Sequence, residues 1–157
     1  MFSKGDKIVY PSYGGAIIDD VVKNDEGKYY YLISTIFGGM KIKISAKKAE
    51  DIGVRKVSSK NEIMDTIKNV NSYDIVSSEK WNKRYKENLE KIKTGRLIEV
   101  MEVAKNLEKR GKDHNLSGTE KSMLKNAKQI IVSEIILSDN IVKEKAEELL
   151  AKLLFNC

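Results

Sequence analysis

One cysteine, one proline, one histidine and one tryptophan occur among 157 residues, and these scarcities exclude a good deal. Cys157 has no second thiol to meet, so no disulfide framework forms within the chain, and a free thiol there is expected to be incidental. No run approaches the roughly 18 apolar residues of a membrane-spanning helix. The opening Met1-Phe2-Ser3-Lys4-Gly5-Asp6 lacks the basic and apolar regions of a signal peptide. A cytoplasmic location without a membrane partner is the expectation.

Residues suited to catalysis are scarce too. His114 sits in Arg110-Gly111-Lys112-Asp113-His114-Asn115 with no ligand set at metal-binding spacing, so it reads as a solvated turn histidine and no metal is expected. Gly14-Gly15 and Gly38-Gly39 lack the following lysine and hydroxyl of a phosphate-cradling loop, and read as turns. No serine occupies a nucleophile-elbow pattern. Asp19 and Asp20 are neighbours in a strand-like segment, where successive side chains point to opposite faces and do not converge on a substrate. These readings predict a protein that is not an enzyme and needs no cofactor.

What the chain does have is 41% hydrophobic and 33% charged residues, enough for packed cores under a heavily solvated surface. Lysine and arginine number 29 against 23 acids, a formal +6 that permits a polyanionic partner without requiring one. The N-terminal third reads as β-structure. Lys7 to Tyr10, Ala16 to Val22, Tyr29 to Ile33 and Met40 to Ile44 are short and rich in β-branched or aromatic residues. Turn signals at Pro11 to Gly15, Asn24 to Gly27 and Gly38-Gly39 separate them. Met40 to Ile44 alternates apolar residues with lysine, as a half-buried strand does. Such spacing predicts a small, strongly bent sheet or barrel.

Around Gly53 the texture changes, and from Ser58 onward the apolar period is helical. Ser59 reads as the N-cap of a helix with Ile63, Ile67 and Val70 on one face. A second helix is expected from about Ser78 to Lys93, with Trp81, Tyr85, Leu89 and Ile92 as its stripe, and a third from Leu97 to Arg110, ended by Gly111. Ser117 and Glu120 fit a capping box opening a fourth helix, whose apolar face is Met123, Leu124, Ala127, Ile130 and Ile131. A last helix ends in Leu149 to Phe155, a stripe expected to pack in its own bundle. The expected architecture is α+β in two domains, a β-domain over 1–55 and an all-α bundle over 60–157.

One stretch stands out, Lys80 to Arg96. It holds seven cations (Lys80, Lys83, Arg84, Lys86, Lys91, Lys93, Arg96) against two acids (Glu87, Glu90), and it holds the single tryptophan at the start of its helix. A lone tryptophan is ordinarily a core residue and a run of lysines ordinarily a solvated face. A large aromatic flanked by cations at a helix N-terminus also meets the needs of a minor-groove wedge, the cations on phosphates and the ring at a base step.

Three segments carry a family resemblance. The opening Phe2-Ser3-Lys4-Gly5-Asp6-Lys7-Ile8-Val9-Tyr10-Pro11-Ser12-Tyr13-Gly14 resembles the F-x-x-G-D-x-V-V-Y-P-x-x-G start of CarD/CdnL-type bacterial transcription regulators. Trp81 to Ile92 is similar to the family's W-x-x-R-Y-x-x-N-L-E-K-L block, and Leu116 to Ile131 to its L-S-x-x-E-K-x-M-L-x-x-A segment. The resemblance implies a Tudor-like, SH3-type N-terminal barrel that binds the β subunit of RNA polymerase, a module also found in transcription-repair coupling factor. It implies a helical C-terminal domain at the upstream edge of the transcription bubble, with Trp81 as minor-groove wedge and Lys83, Arg84, Lys86 and Lys121 on the DNA backbone. The polymerase-binding strand maps to Met40, Lys41, Ile42, Lys43 and Ser45. Ser45 stands where relatives usually have proline, and Lys83 where they often have arginine, which removes a bidentate phosphate grip but keeps the charge.

The implied function is transcription regulation by open-complex stabilisation, in a nucleoid-associated monomer with largely sequence-independent DNA contact. A general architectural DNA- or RNA-binding protein recruited through its β-domain is the alternative. A nuclease-like enzyme lacks its carboxylate cluster.

Overall fold

The structure, a computed structural model, describes residues 1–155, so Cys157 lies outside the described residues. Strands β1 (Lys7–Tyr10), β2 (Gly14–Lys23), β3 (Tyr29–Thr35), β4 (Lys41–Ser45) and β5 (Arg55–Lys56) form a five-stranded sheet in the order β4-β3-β2-β1-β5. Every pairing is antiparallel. The sheet buries Ile8, Ile18, Tyr31, Ile33 and Ile44 in one cluster, each aliphatic side chain stabilising the fold by about 1.5–3 kcal/mol. The α+β reading is correct, with β-structure first and helices after it.

Two elements go beyond the sequence reading. Helix α1 (Ala46–Ile52) follows β4 directly, capped by the Ser45 hydroxyl, which accepts the Lys48 N–H at 3.1 Å. Strand β5 then pairs with β1 through only two residues. The expected opposition of Asp19 and Asp20 also fails locally. A bulge between Ile18 and Asp20 breaks the alternation and leaves both carboxylates exposed.

The helical part comprises α2 (Lys60–Asn71), α3 (Trp81–Lys93), α4 (Leu97–Asp113), α5 (Gly118–Asp139) and α6 (Lys143–Leu150), continued by a π-helical turn at Ala151–Phe155. Ser59 and Glu62 make a complete capping box, and the two hydrogen bonds from Ser59, its backbone N–H first, hold the Glu62 carboxyl below its ordinary pKa. Ile63, Ile67 and Val70 face inward as their spacing predicts. Gly111 does not end α4. It lies inside the helix against Leu116, and the helix runs on to Asp113 with His114 as the exposed C-cap residue. Helix α5 is the axis of the molecule, its central run from Ile130 to Ile135 buried between the bundle and β2. Among the described residues no helix is long and apolar enough to cross a membrane.

Candidate functional site

The site grows from the N-terminus of α3. Among the described residues no side chain caps this helix, so its first-turn N–H groups stay open to a ligand. Trp81 is its first residue and is 40% exposed, which removes the core reading of the single tryptophan. The indole stacks flat on Tyr85 one turn later, centroids 5.4 Å apart and planes 3° from parallel. Its Nε1–H donates to the Ser117 hydroxyl at 3.2 Å. That hydroxyl also accepts the Glu120 N–H at 3.1 Å, capping α5. The indole is therefore held in one orientation with an open face, where the N-termini of α3 and α5 meet.

Lys83 and Lys86 on α3 and Lys121 on α5 are exposed and form no ion pair with a described residue. Lys121 lies one helical turn beyond Ser117, whose hydroxyl holds the indole, while Lys83 and Lys86 lie on the outer face of α3. From Lys121 a groove of about 410 Å³ continues past Leu124 and Lys125 toward Lys143 and Phe37.

Arg84 corrects the expectation made for it. Its residue is 2% exposed, and its Nε and Nη2 donate to both Glu120 oxygens at 2.8 and 3.1 Å. Nη1 donates to the Ser78 and Glu79 carbonyls at 3.2 and 3.1 Å. The hydrogen bond to Glu120 raises the guanidinium above its ordinary pKa. Four of its five N–H donors are so committed, and the side chain is buried, so it is not placed to grip a phosphate. It ties the start of α3 to the start of α5 and so fixes the platform under Trp81. For the same reason the capping box expected at Ser117 is only half made: the Glu120 carboxylate turns to Arg84 instead of the cap backbone. The buried residues of α3 are Arg84, Asn88 and Ile92; Trp81 continues their stripe but stands at the first position of the helix, where it is exposed, and Tyr85 is half-buried.

At the far end of the sheet β4 is an edge, paired among the described residues with β3 alone. Lys41 and Lys43 are exposed, while Ile42 and Ile44 turn toward the core. Lys43 Nζ lies 5.3 Å from the Tyr30 ring centroid. Lys41 Nζ donates to the Ser34 hydroxyl at 2.6 Å, and that hydroxyl in turn donates to Asp19. Met40 is exposed beside them in the preceding turn, and Ser45 is occupied as the α1 cap. The structure thus separates two clusters, Met40 to Ser45 on the sheet edge and Trp81, Lys83, Lys86 and Lys121 on the bundle.

The comparisons with known proteins agree in both halves. The family model for the CarD-like/TRCF RID domain matches residues 2–58, and that for the CarD C-terminal domain matches residues 62–151. The chain belongs to the CarD family. The CarD relative YdeB of Bacillus subtilis (strain 168), a candidate transcription factor by its name, is 32% identical over 151 residues, covering 92% of this chain and 97% of YdeB. Both sequence motifs that met at Trp81, the block from Trp81 and the segment from Leu116, lie inside the CarD C-terminal match.

Sequence reasoning missed Arg55, Ser133 and Glu134, which join the sheet to the bundle. A signal was present: a lone carboxylate inside Ile130-Ile131-Val132-Ser133-Glu134-Ile135-Ile136-Leu137 has to find a buried partner.

Proposed function

We propose that the protein is a transcription regulator that binds the β subunit of RNA polymerase through the β4 edge and stabilises the promoter open complex with Trp81. The observation that carries this reading is a held, half-exposed indole at a helix N-terminus that no described side chain caps, with exposed lysines on the same two helices. A factor shifts an equilibrium only by its differential affinity for the two states. A ring that stacks on a distorted base step at the upstream bubble edge has such a difference, because the closed duplex offers no gap to enter. Lys83, Lys86 and Lys121 then supply sequence-independent phosphate contact. Tethering to polymerase raises the local DNA concentration enough for so small a basic patch to act. The exposed edge of β4 suits pairing with a strand of the partner, flanked by the charges of Lys41 and Lys43.

Two outcomes test the separate surfaces. Lys43→Glu weakens capture of polymerase β subunit about fivefold or more at low salt, the effect of reversing one rim charge, and leaves affinity for free DNA unchanged. Lys41→Glu does less, since Asp19 and Ser34 already occupy that ammonium. Equal capture by wild type and Lys43→Glu rules out the edge. On the bundle, Lys83→Gln, Lys86→Gln and Lys121→Gln each flatten the salt dependence of DNA binding by about one unit of log–log slope, without regard to sequence. An unchanged slope in all three removes them from the DNA contact.

A further inference from the structure

The sheet has two edges, and the chain uses them differently. While β4 is open, the β1–β5 side is bolted to the bundle. Arg55 on β5 donates from Nη1 and Nη2 to the two oxygens of Glu134 on α5, at 2.8 and 2.7 Å, and from Nε to the Gly95 carbonyl at 3.0 Å. The Ser58 N–H adds a third hydrogen bond to Glu134, at 2.7 Å, and the Glu134 side chain is 0% exposed. Beside this pair the backbone of β2 lies directly on α5. The Gly15 N–H donates to the Ser133 hydroxyl at 2.6 Å, and a Cβ on Gly15 would come within 2.9 Å of Leu137 and the Ser133 carbonyl. Gly95, before α4, meets Pro11 so closely that a Cβ would lie 2.9 Å from its ring. Lys7 Nζ reaches the Leu137 carbonyl at 3.1 Å, and Phe37 from the β3–β4 turn packs on the helical core.

From this seam we infer that Arg55, Glu134 and the Gly15–Ser133 contact are positioning residues: they lock sheet and bundle into one body and set a fixed offset between the β4 edge and Trp81. The inference rests on the function proposed above. The seam joins groups that a hydrophobic interface alone would leave free to slide, because a bidentate guanidinium–carboxylate pair fixes angle as well as distance. A wedge requires that precision. Contacts of this kind act only when held within about 0.5 Å and 10–20° of their productive geometry. A loosely tethered bundle would still bind DNA and a detached sheet would still bind polymerase, but the indole would spread over many positions.

The test uses the full chain with Cys157→Ser and spin labels at Lys23 and Lys109, positions outside both surfaces. Arg55→Gln/Glu134→Gln removes the ion pair without leaving one buried charge unpaired. Ser133→Ala, which deletes only the hydroxyl facing Gly15, serves if the double variant does not fold. The expected result is a broadened label-to-label distance distribution and loss of most of the wild-type prolongation of open-complex lifetime, with affinities for polymerase and for free DNA each within about twofold of wild type. A purely structural role would lower all three functional readouts together, along with the thermal midpoint, and would overturn the inference. So would an unchanged distance distribution, or a broadened one with full open-complex lifetime. Failure of the function itself looks different: wild-type protein, with a narrow distribution, has no effect on open-complex lifetime.

Discussion

Arg84→Met lowers the thermal midpoint sharply, by about 6–20 °C, because it removes one partner of a buried ion pair. Breaking such a pair costs about 3–5 kcal/mol, and each kcal/mol moves the midpoint of a chain this size by about 2–4 °C. The loss falls on several groups at once. Glu120, 2% exposed, loses its partner, and the Ser78 and Glu79 carbonyls lose their donor. Replacing the pair together, as Arg84→Met/Glu120→Leu, recovers most of the midpoint, since no uncompensated charge remains. The sign of the pH dependence follows from the raised pKa of Arg84. A folded-state pKa above the unfolded value gives stability that is fully present below the unfolded pKa and lost only as pH rises past it. The Arg84 charge therefore contributes in full at neutral pH, and this contribution fades only in strong alkali. A phosphate-contact residue would behave in the opposite way, with unchanged melting and weakened DNA binding.

Trp81→Ala separates function from stability the other way round. The indole gives up its stack on Tyr85 and its hydrogen bond to Ser117, a loss of about 1–2 kcal/mol at a half-exposed position, so the midpoint falls by only a few degrees. Polymerase capture is expected to be unchanged, because the edge proposed to bind it, β4, lies in the sheet and not in the bundle. The open complex loses stacking worth about 1–3 kcal/mol, so its stabilisation drops by a factor of about five to more than a hundred. Trp81→Phe keeps a ring over Tyr85 and gives up the Ser117 anchor, and falls between the two.

Local signals carried most of the element order. The alternation of Met40 to Ile44, the turn glycines and the Ser59 cap lie within a few residues of what they control, and the strands and α2 follow them. Strand β5 did not announce itself, since two residues become a strand only by pairing with β1 across some fifty positions of chain. Helix α1 had its Ser45 cap and Gly53 stop in plain view, but a strand running straight into a short helix masks the change of period. At the site, the tryptophan and its lysines were legible because exposed charge beside one aromatic is a compositional signal. Arg84 was not. Its neighbours in sequence are surface lysines, and only Glu120, brought up by the fold, turns the guanidinium inward. Gly111 misled for a similar reason: a stop signal by local rules, it stays helical because Leu116 folds back onto it.

The lifetime of a promoter open complex, formed with bacterial RNA polymerase on linear DNA and challenged with a polyanionic competitor, is where the wedge stands or falls. Wild-type protein is expected to prolong that lifetime at least fivefold, and a folded, polymerase-bound Trp81→Ala variant is expected to leave it near the value for polymerase alone. Equal prolongation by the two proteins, or none by a polymerase-bound wild type, would contradict the account.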